Sequence, residues 1–308
     1  LGLCATPIIL FGTEEQKKKY LPSLASGNSL GAFALTEPAA GSDAANIQTT
    51  AEIDGDDFVL NGSKIFCTNG DRADLTIVFA TNDKNLGPMG GITAFLVEKN
   101  TPGFSVGKIE KKMGLKASST AELIFENCKI PKSNVLGDVG AGFMVALTTL
   151  DGGRVSLAVG ALGAAQRALD ICVEFLRKNQ SEGGSLPNRQ SIQWKLADIA
   201  MEVYASKYLV YNNLVELEKY YKIIESREKV PRRLRDSISR GSAISKAYVT
   251  EVASRAITRA IEIQGISGIK EGSDIERGFR DSFIAEIYEG TNDIQRMIIA
   301  KELLGLGL

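Results

Sequence analysis

The sequence predicts an α+β chain: a β-rich middle of barrel or sandwich type, then a helical half arranged as a four-helix bundle, all after a short helical opening. Three observations carry this. Apolar residues alternate in short runs up to about residue 136 and then adopt a helical period that holds to the C-terminal end. Asp54-Gly55 and Asn61-Gly62 are strong two-residue hairpin signals inside the first of these regions. Between the two patterns stands Gly137-Asp138-Val139-Gly140-Ala141-Gly142, a glycine-rich break just past Pro131. The expected divisions are residues 1–30, 31–136 and 137–308.

Taken in order, Thr13-Glu14-Glu15-Gln16 fits a capping box, with Thr13 as N-cap and Gln16 reaching back, and a Lys-rich helix runs toward Leu24 until Gly27 ends it. Strands are expected at Thr49 to Ile53, Phe58 to Leu60, Lys64 to Thr68, Leu75 to Ala80, Ile92 to Val97, Phe104 to Ile109 and Leu123 to Phe125. Long helices follow from Phe143 to Lys178 and from Ser191 to Arg227. In the second, Leu196, Ile199, Ala200 and Val203 form an i, i+3, i+4, i+7 stripe. Pro231 interrupts, and further helices are expected from Leu234 to Ile263 and from Asn292 onward.

Composition narrows the chemistry. A chain of 308 residues has room for two cores, and a net charge of -1 leaves no electrostatic footprint for nucleic acid. Cys4, Cys67, Cys128 and Cys172 are scattered without a C-x-x-C pair and read as buried, reduced thiols. With no histidine, a general base must be a carboxylate, Lys, Tyr or Cys, and no metal site is expected. No stretch reads as long and apolar enough to span a membrane. The chain opens at Leu1 rather than Met, inside an apparent helix, so sequence upstream, a targeting segment included, is expected to be missing.

One carboxylate is placed for proton transfer. Glu289 sits on a Gly turn ahead of a new helix, in Ile287-Tyr288-Glu289-Gly290-Thr291-Asn292-Asp293-Ile294-Gln295-Arg296, with Tyr288 and isoleucines to raise its pKa. Alone, this reads more simply as an exposed Glu capping a helix. Far upstream lie Leu35-Thr36-Glu37-Pro38-Ala39-Ala40-Gly41-Ser42-Asp43 and Phe66-Cys67-Thr68-Asn69-Gly70, and Glu276-Arg277-Gly278-Phe279-Arg280-Asp281 precedes the Glu289 segment. In that order these segments resemble the T-E-P-x-x-G-S-D, W-I-T-N-G, E-R-x-x-R-D and Y-E-G-T-x-x-I-Q-R signatures of the acyl-CoA dehydrogenases, over nearly the whole chain.

The resemblance implies an FAD enzyme that removes two hydrogens from adjacent carbons of a short- or medium-chain acyl-CoA. Glu289 would be the base, its own N–H and Gly290 would help hold the thioester, and flavin N5 would take the hydride. Some members of the family carry the base early in the first bundle helix, where this chain has Gly153. Asp151 and Arg154 match positions along the substrate's route. Their alternative reading is a helix-start acid and a surface cation. Phe33, Leu35, Thr36, Gly41, Ser42, Phe66, Thr68, Gln190, Gly265, Thr291 and Asp293 match cofactor positions, with Ser42 also near the CoA arm. Without the resemblance, Phe33, Leu35 and Phe66 read more often as ordinary barrel core, and Thr291 reads equally as an N-cap.

On the adenine side the pattern departs from the family. Asn179 falls where an Arg meets the pyrophosphate, Glu182-Gly183 replaces an aromatic-Gly pair, and Q-x-x-G-G-x-G reads Glu262-Ile263-Gln264-Gly265-Ile266-Ser267-Gly268. A register shift that restores Arg177 or Gln264 is the other reading. An apparent insertion from Glu216 to Arg240 reads as a mixed-charge helical extension or as a docking surface for a partner. The resemblance further implies a homotetramer built as a dimer of dimers and an electron-transfer flavoprotein as acceptor. It places the chain in the cytoplasm of a bacterium, or the mitochondrial matrix of a eukaryote. It also makes the opening a remnant of an N-terminal helical domain. A degenerate acyl-CoA-binding or structural subunit, and an acyl-CoA oxidase, are the rival readings.

Overall fold

The computed structural model describes residues 2–180 and 186–306, so Glu182-Gly183 lies outside the described residues. The chain divides into two compact units, one of Leu1–Lys112, Lys116–Leu150 and Ile224–Glu228, the other of Met113–Leu115, Asp151–Ile223 and Lys229–Leu308.

The first unit opens with α1 (Gly2–Phe11) and α2 (Glu14–Ser26). The capping box forms as the sequence predicts, with Gln16 N–H donating to Thr13 Oγ1 and Thr13 N–H to Gln16 Oε1, while Gly27 ends the helix at φ 77°. Eight strands then make one sheet: β1 (Gly31–Ala34), β2 (Thr50–Asp54), β3 (Asp57–Thr68), β4 (Leu75–Thr81), β5 (Ile92–Glu98), β6 (Phe104–Ile109), β7 (Thr120–Pro131) and β8 (Val135–Leu136). A short turn of helix, α3 (Pro88–Gly91), precedes β5. The order is β6-β7-β3-β2-β4-β5-β8, with β1 parallel to β4.

Because side chains alternate across a strand, β4 feeds two cores. Ile77 and Phe79 face a core shared with Ile8, Leu24, Leu96 and Val145, while Val78 and Ala80 join Phe58, Phe95, Leu123 and Phe125 in the other. Phe58 of β3 meets Phe95 of β5 with ring centroids 5.1 Å apart. These two strands are not neighbours in the sheet, so the sheet curls over that second core.

The Asp54-Gly55 signal marks a true hairpin, shifted by one residue: Asp54 pairs with Asp57 and the loop is Gly55-Asp56. Asn61-Gly62 is no turn at all, and this corrects the sequence reading. β3 runs straight through it, and Gly62 sits at φ 144° beside a register shift, where an added Cβ would lie 2.7 Å from Thr49 Oγ1. The glycine serves close approach of the backbone rather than reversal of the chain.

Helices make up most of the second unit: α4 (Gly142–Lys178), which begins in the first unit, α5 (Gln190–Glu225), α6 (Arg232–Gln264), α7 (Asp274–Ser282) and α8 (Asn292–Leu304). Their core joins Ala158, Ala165, Ala168 and Cys172 of α4 to Ile199, Val203, Val249, Val252 and Ile263. Sequence periodicity missed α7, whose nine residues are too few to establish a period. By length and composition α4 is long and apolar enough to cross a membrane, which corrects the expectation that no stretch is. Ala158, Ala161, Ala165, Ala168 and Cys172 of this helix are spent on this core.

Candidate active site

Glu289 stands between the short helical turn at Phe283–Glu286 and α8, in a left-handed backbone conformation (φ 56°) that non-glycine residues rarely take. Gly290 follows at φ 86°. Three groups hold this strained turn. Thr291 caps α8 by accepting from Ile294 N–H at 3.3 Å, Gln295 Nε2 donates to the Gly290 and Glu289 carbonyls at 2.9 and 3.3 Å, and Arg154 Nε donates to the Glu289 carbonyl at 3.3 Å.

The carboxylate itself is left unsatisfied: its Oε2 is buried without a hydrogen-bond partner. Burial raises the Glu289 pKa to about 7, against the opposing pull of Arg154 and Lys246. A carboxyl titrating there exchanges a proton at neutral pH. Of the apolar lining expected from sequence, Ile287 and Tyr288 are both exposed.

Asp151 and Arg154 lie within α4 and are both buried, with Arg154 Nη1 donating to Asp151 Oδ1 at 2.9 Å, so they are neither helix-start acid nor surface cation. Burial pushes Asp151 up to about 6, Arg154 and Ser239 opposing. Sequence reasoning missed two neighbours. Lys246, on α6, is fully buried and donates to Asn292 Oδ1 at 2.8 Å; burial holds it down to about 8. Tyr221, on α5, has a buried and unpartnered hydroxyl against Gly152, where an added Cβ would lie 1.8 Å from it. Asp151 adds to burial in pushing this phenol up. Both residues read from sequence as ordinary helix positions.

In the first unit, the T-E-P segment is held by a buried ion pair. Lys64 Nζ donates to Glu37 Oε1 at 2.7 Å and to the Leu35 carbonyl at 3.1 Å, and Glu37 also accepts from the Gln48 and Thr49 N–H groups. Burial alone would raise the Glu37 pKa, but Lys64 and those hydrogen bonds outweigh it and hold the carboxyl low. Ile65 N–H donates to the Thr36 carbonyl, so the two motif segments lie side by side. Leu35 belongs to the core and the Phe33 ring lies tilted against Phe79 with centroids 4.9 Å apart, whereas Phe66 is 61% exposed at φ 56°, beside a register shift in β3. An exposed aromatic on a strained bulge, beside exposed Thr68 and half-buried Thr36, suits a planar ring system. Gly41 and Ser42 are exposed, with open space over Gly41.

The remaining expected cofactor positions in the second unit are less committed. Gln190 is exposed at the start of α5, Gly265 (φ 58°) follows α6 with Ile266 81% exposed, and Asp293 is exposed near Arg296 at 3.7 Å. Asn179 Nδ2 is turned onto the Phe175 carbonyl, and Glu262 pairs with Lys195. In the E-R-x-x-R-D segment, Arg280 pairs with Glu276 at 2.5 Å and Asp281 accepts from Leu115 N–H, so this motif ties α7 to the Met113–Leu115 segment. The Glu216 to Arg240 segment carries exposed pairs such as Lys219–Glu216 and Lys222–Glu218 but also buries Leu217 and Tyr220.

A mixed sheet followed by a helical unit agrees with the class that the sequence motifs resemble, the acyl-CoA dehydrogenases. Family models agree: the acyl-CoA dehydrogenase C-terminal domain matches residues 140–304, the middle domain 32–128 and the N-terminal domain 1–28. The chain belongs to this family, whose members are flavoproteins of fatty acid β-oxidation.

It is 45% identical to the short-chain specific acyl-CoA dehydrogenase of Megasphaera elsdenii, over 99% of this chain and 76% of that protein. The solved butyryl-CoA dehydrogenase of the same organism superposes with a TM-score of 0.88 at 44% identity, covering 98% of this chain and 75% of that one. Acryloyl-CoA reductase (NADH) of Anaerotignum propionicum is 42% identical over 96% of this chain and 72% of its own. A chain in the structure of electron transferring flavoprotein of Acidaminococcus fermentans is 45% identical, with a TM-score of 0.88, covering 98% of this chain and 76% of that one.

Proposed function

We propose that this chain dehydrogenates a short-chain acyl-CoA at its α and β carbons, with Glu289 as the base. The buried, unpartnered Oε2 of Glu289 carries the reading, because a carboxyl pushed up to about 7 in a positioned turn is matched to removing a weakly acidic α-proton. Burial supplies the basicity and the Gln295 and Arg154 hydrogen bonds supply the aim. The Glu289 and Gly290 backbone is assigned to the thioester carbonyl, where donors strengthen as enolate charge grows. Asp151 and Arg154 are assigned to the substrate's route.

FAD, when bound, supplies the hydride acceptor. The exposed Phe66 face, Phe33, Leu35 and the Thr36 and Thr68 hydroxyls fit an isoalloxazine, and Gly41 and Ser42 the pyrophosphate and CoA arm. Gln190, Gly265, Thr291 and Asp293 are assigned to the adenine half. The fit is poorer there, since Asn179 is already engaged and Ile266 puts a branched side chain where a glycine suits phosphate. The assembly is assigned as a dimer of dimers that passes electrons to an electron-transfer flavoprotein. Four buried free cysteines suit a bacterial cytoplasm or a mitochondrial matrix.

The reductase relative favours a second reading, in which Glu289 would return the proton and reduced flavin, when bound, would supply the hydride to an unsaturated acyl-CoA, since acid and base exchange roles when a reaction reverses. Glu289→Gln tests the shared core of both readings. It is expected to retain bound FAD and lose about 10²- to 10⁴-fold in rate. Retained activity removes Glu289 from the base role, and a protein that takes up no flavin is the degenerate subunit.

A further inference from the structure

Lys246 has no accessible surface, a setting a lysine occupies only when its ammonium has company. That company is Asn292, the first residue of α8, which follows directly on the Glu289-Gly290-Thr291 turn. Asn292 Nδ2 donates to Thr250 Oγ1 and to Glu251 Oε1, both at 3.2 Å, and Thr250 donates to the Lys246 carbonyl at 2.8 Å. A ring of hydrogen bonds thus ties the start of α8 to one turn of α6.

The charged groups facing the ammonium are Glu289, Arg154, Glu286 and Glu251, and those facing the Glu289 carboxylate are Arg154 and Lys246. Arg154 is already engaged with Asp151. Among the described residues no ion pair within 4 Å joins Lys246 to Glu289. Direct contact would drive the carboxyl down by about 1–3 pH units and strip its basicity. Asn292 instead holds the ammonium, so that its charge reaches Glu289 through space only.

We propose that Lys246 is a positioning residue for the Glu289 carboxylate: through Asn292 it fixes the turn that carries Glu289, and its buried positive charge favours the ionised carboxyl. The inference rests on Glu289 being the base. Its sign follows from the opposing causes. Burial raises Glu289 while Arg154 and then Lys246 lower it, so removing the Lys246 charge leaves burial less opposed and moves the acid limb of the rate profile to higher pH.

The experiment compares Lys246→Met, Lys246→Arg and Glu289→Gln in the FAD-loaded protein, by pH profiles of kcat/KM with butyryl-CoA, flavin absorbance and thermal midpoint. Infrared titration of the protonated carboxyl band that Glu289→Gln removes gives a readout independent of turnover. Lys246→Met is expected to shift limb and band upward by about one pH unit. That is roughly tenfold in rate below the limb, recovering at alkaline pH. Lys246→Arg keeps the wild-type limb.

If Lys246→Met does not fold, Lys246→Gln, which keeps a donor for Asn292, carries the same test. A limb and band that stay put while Glu289→Gln is inactive overturn the proposal, as does a rate loss spread evenly over pH. An active Glu289→Gln defeats the base assignment instead, and the band still decides whether Lys246 acts on that carboxyl.

Discussion

Removing the Glu37 charge tests what the buried pair in the first unit contributes. In Glu37→Gln, Lys64 keeps only the Leu35 carbonyl as a described acceptor beyond the new amide, in a site without accessible surface. Breaking a buried pair from one side costs about 3–5 kcal/mol. A ceiling exists, because Lys64 can shed its proton, and doing so at pH 7 from an ordinary lysine value costs about 5 kcal/mol. The two figures agree, so a loss of about 3–5 kcal/mol at pH 7 is expected.

The pH dependence follows from the direction of the lysine's displacement. Its pKa is lower folded than unfolded, so the unfolded chain binds more protons in between and stability rises with pH. Wild type follows that slope only above about 8, where burial has brought Lys64. The variant follows it from lower pH, so the deficit narrows by about 1.4 kcal/mol between pH 7 and 8 and is constant above. Urea unfolding followed by circular dichroism at both pH values measures it. A deficit below about 1 kcal/mol at pH 7, or one that does not narrow, refutes the reasoning. Glu37→Leu with Lys64→Met should regain part of the loss, the Gln48 and Thr49 N–H groups remaining without their acceptor.

Gly152→Ala should cost about 1–3 kcal/mol, because its Cβ would fall 1.8 Å from Tyr221 Oη and 3.0 Å from Cζ, and adding Tyr221→Phe should return most of it in the same unfolding assay. Asn179→Arg with Ile266→Gly should tighten FAD roughly tenfold, a charge-assisted phosphate contact outweighing the lost bond to Phe175. Flavin titration of the apoprotein measures this, and an unchanged dissociation constant means those positions do not meet the phosphates.

Local signals in the sequence foretold local structure well. Thr13 and Gln16 form the cap their spacing announces, with Gln16 Nε2 also donating to the Ser133 and Val135 carbonyls, and Pro231 stands at the N-cap of α6. Asn61-Gly62 misled because the same dipeptide serves a turn or a close backbone approach, and only Thr49, distant in sequence, decides which. Glu289 was legible from its motif, while its elevated pKa depends on burial that no local pattern reports. Lys64 and Lys246 illustrate the limit. Each reads as a surface lysine, and the carboxylates and amides that make its burial tolerable arrive from other elements.

The fit of Tyr221 over Gly152 makes the order of sequence change matter. A side chain at position 152 is blocked while the phenol is present, so a lineage of such chains gains one beside Asp151 only after position 221 has shortened. The reverse order passes through an overpacked intermediate. Trimming position 221 first leaves a small void and an Asp151 with more room, a tolerable step from which several residues at 152 become accessible. Historical contingency is thereby written into one contact: the residue far down the chain acts as a gate on which neighbours the buried acid can acquire.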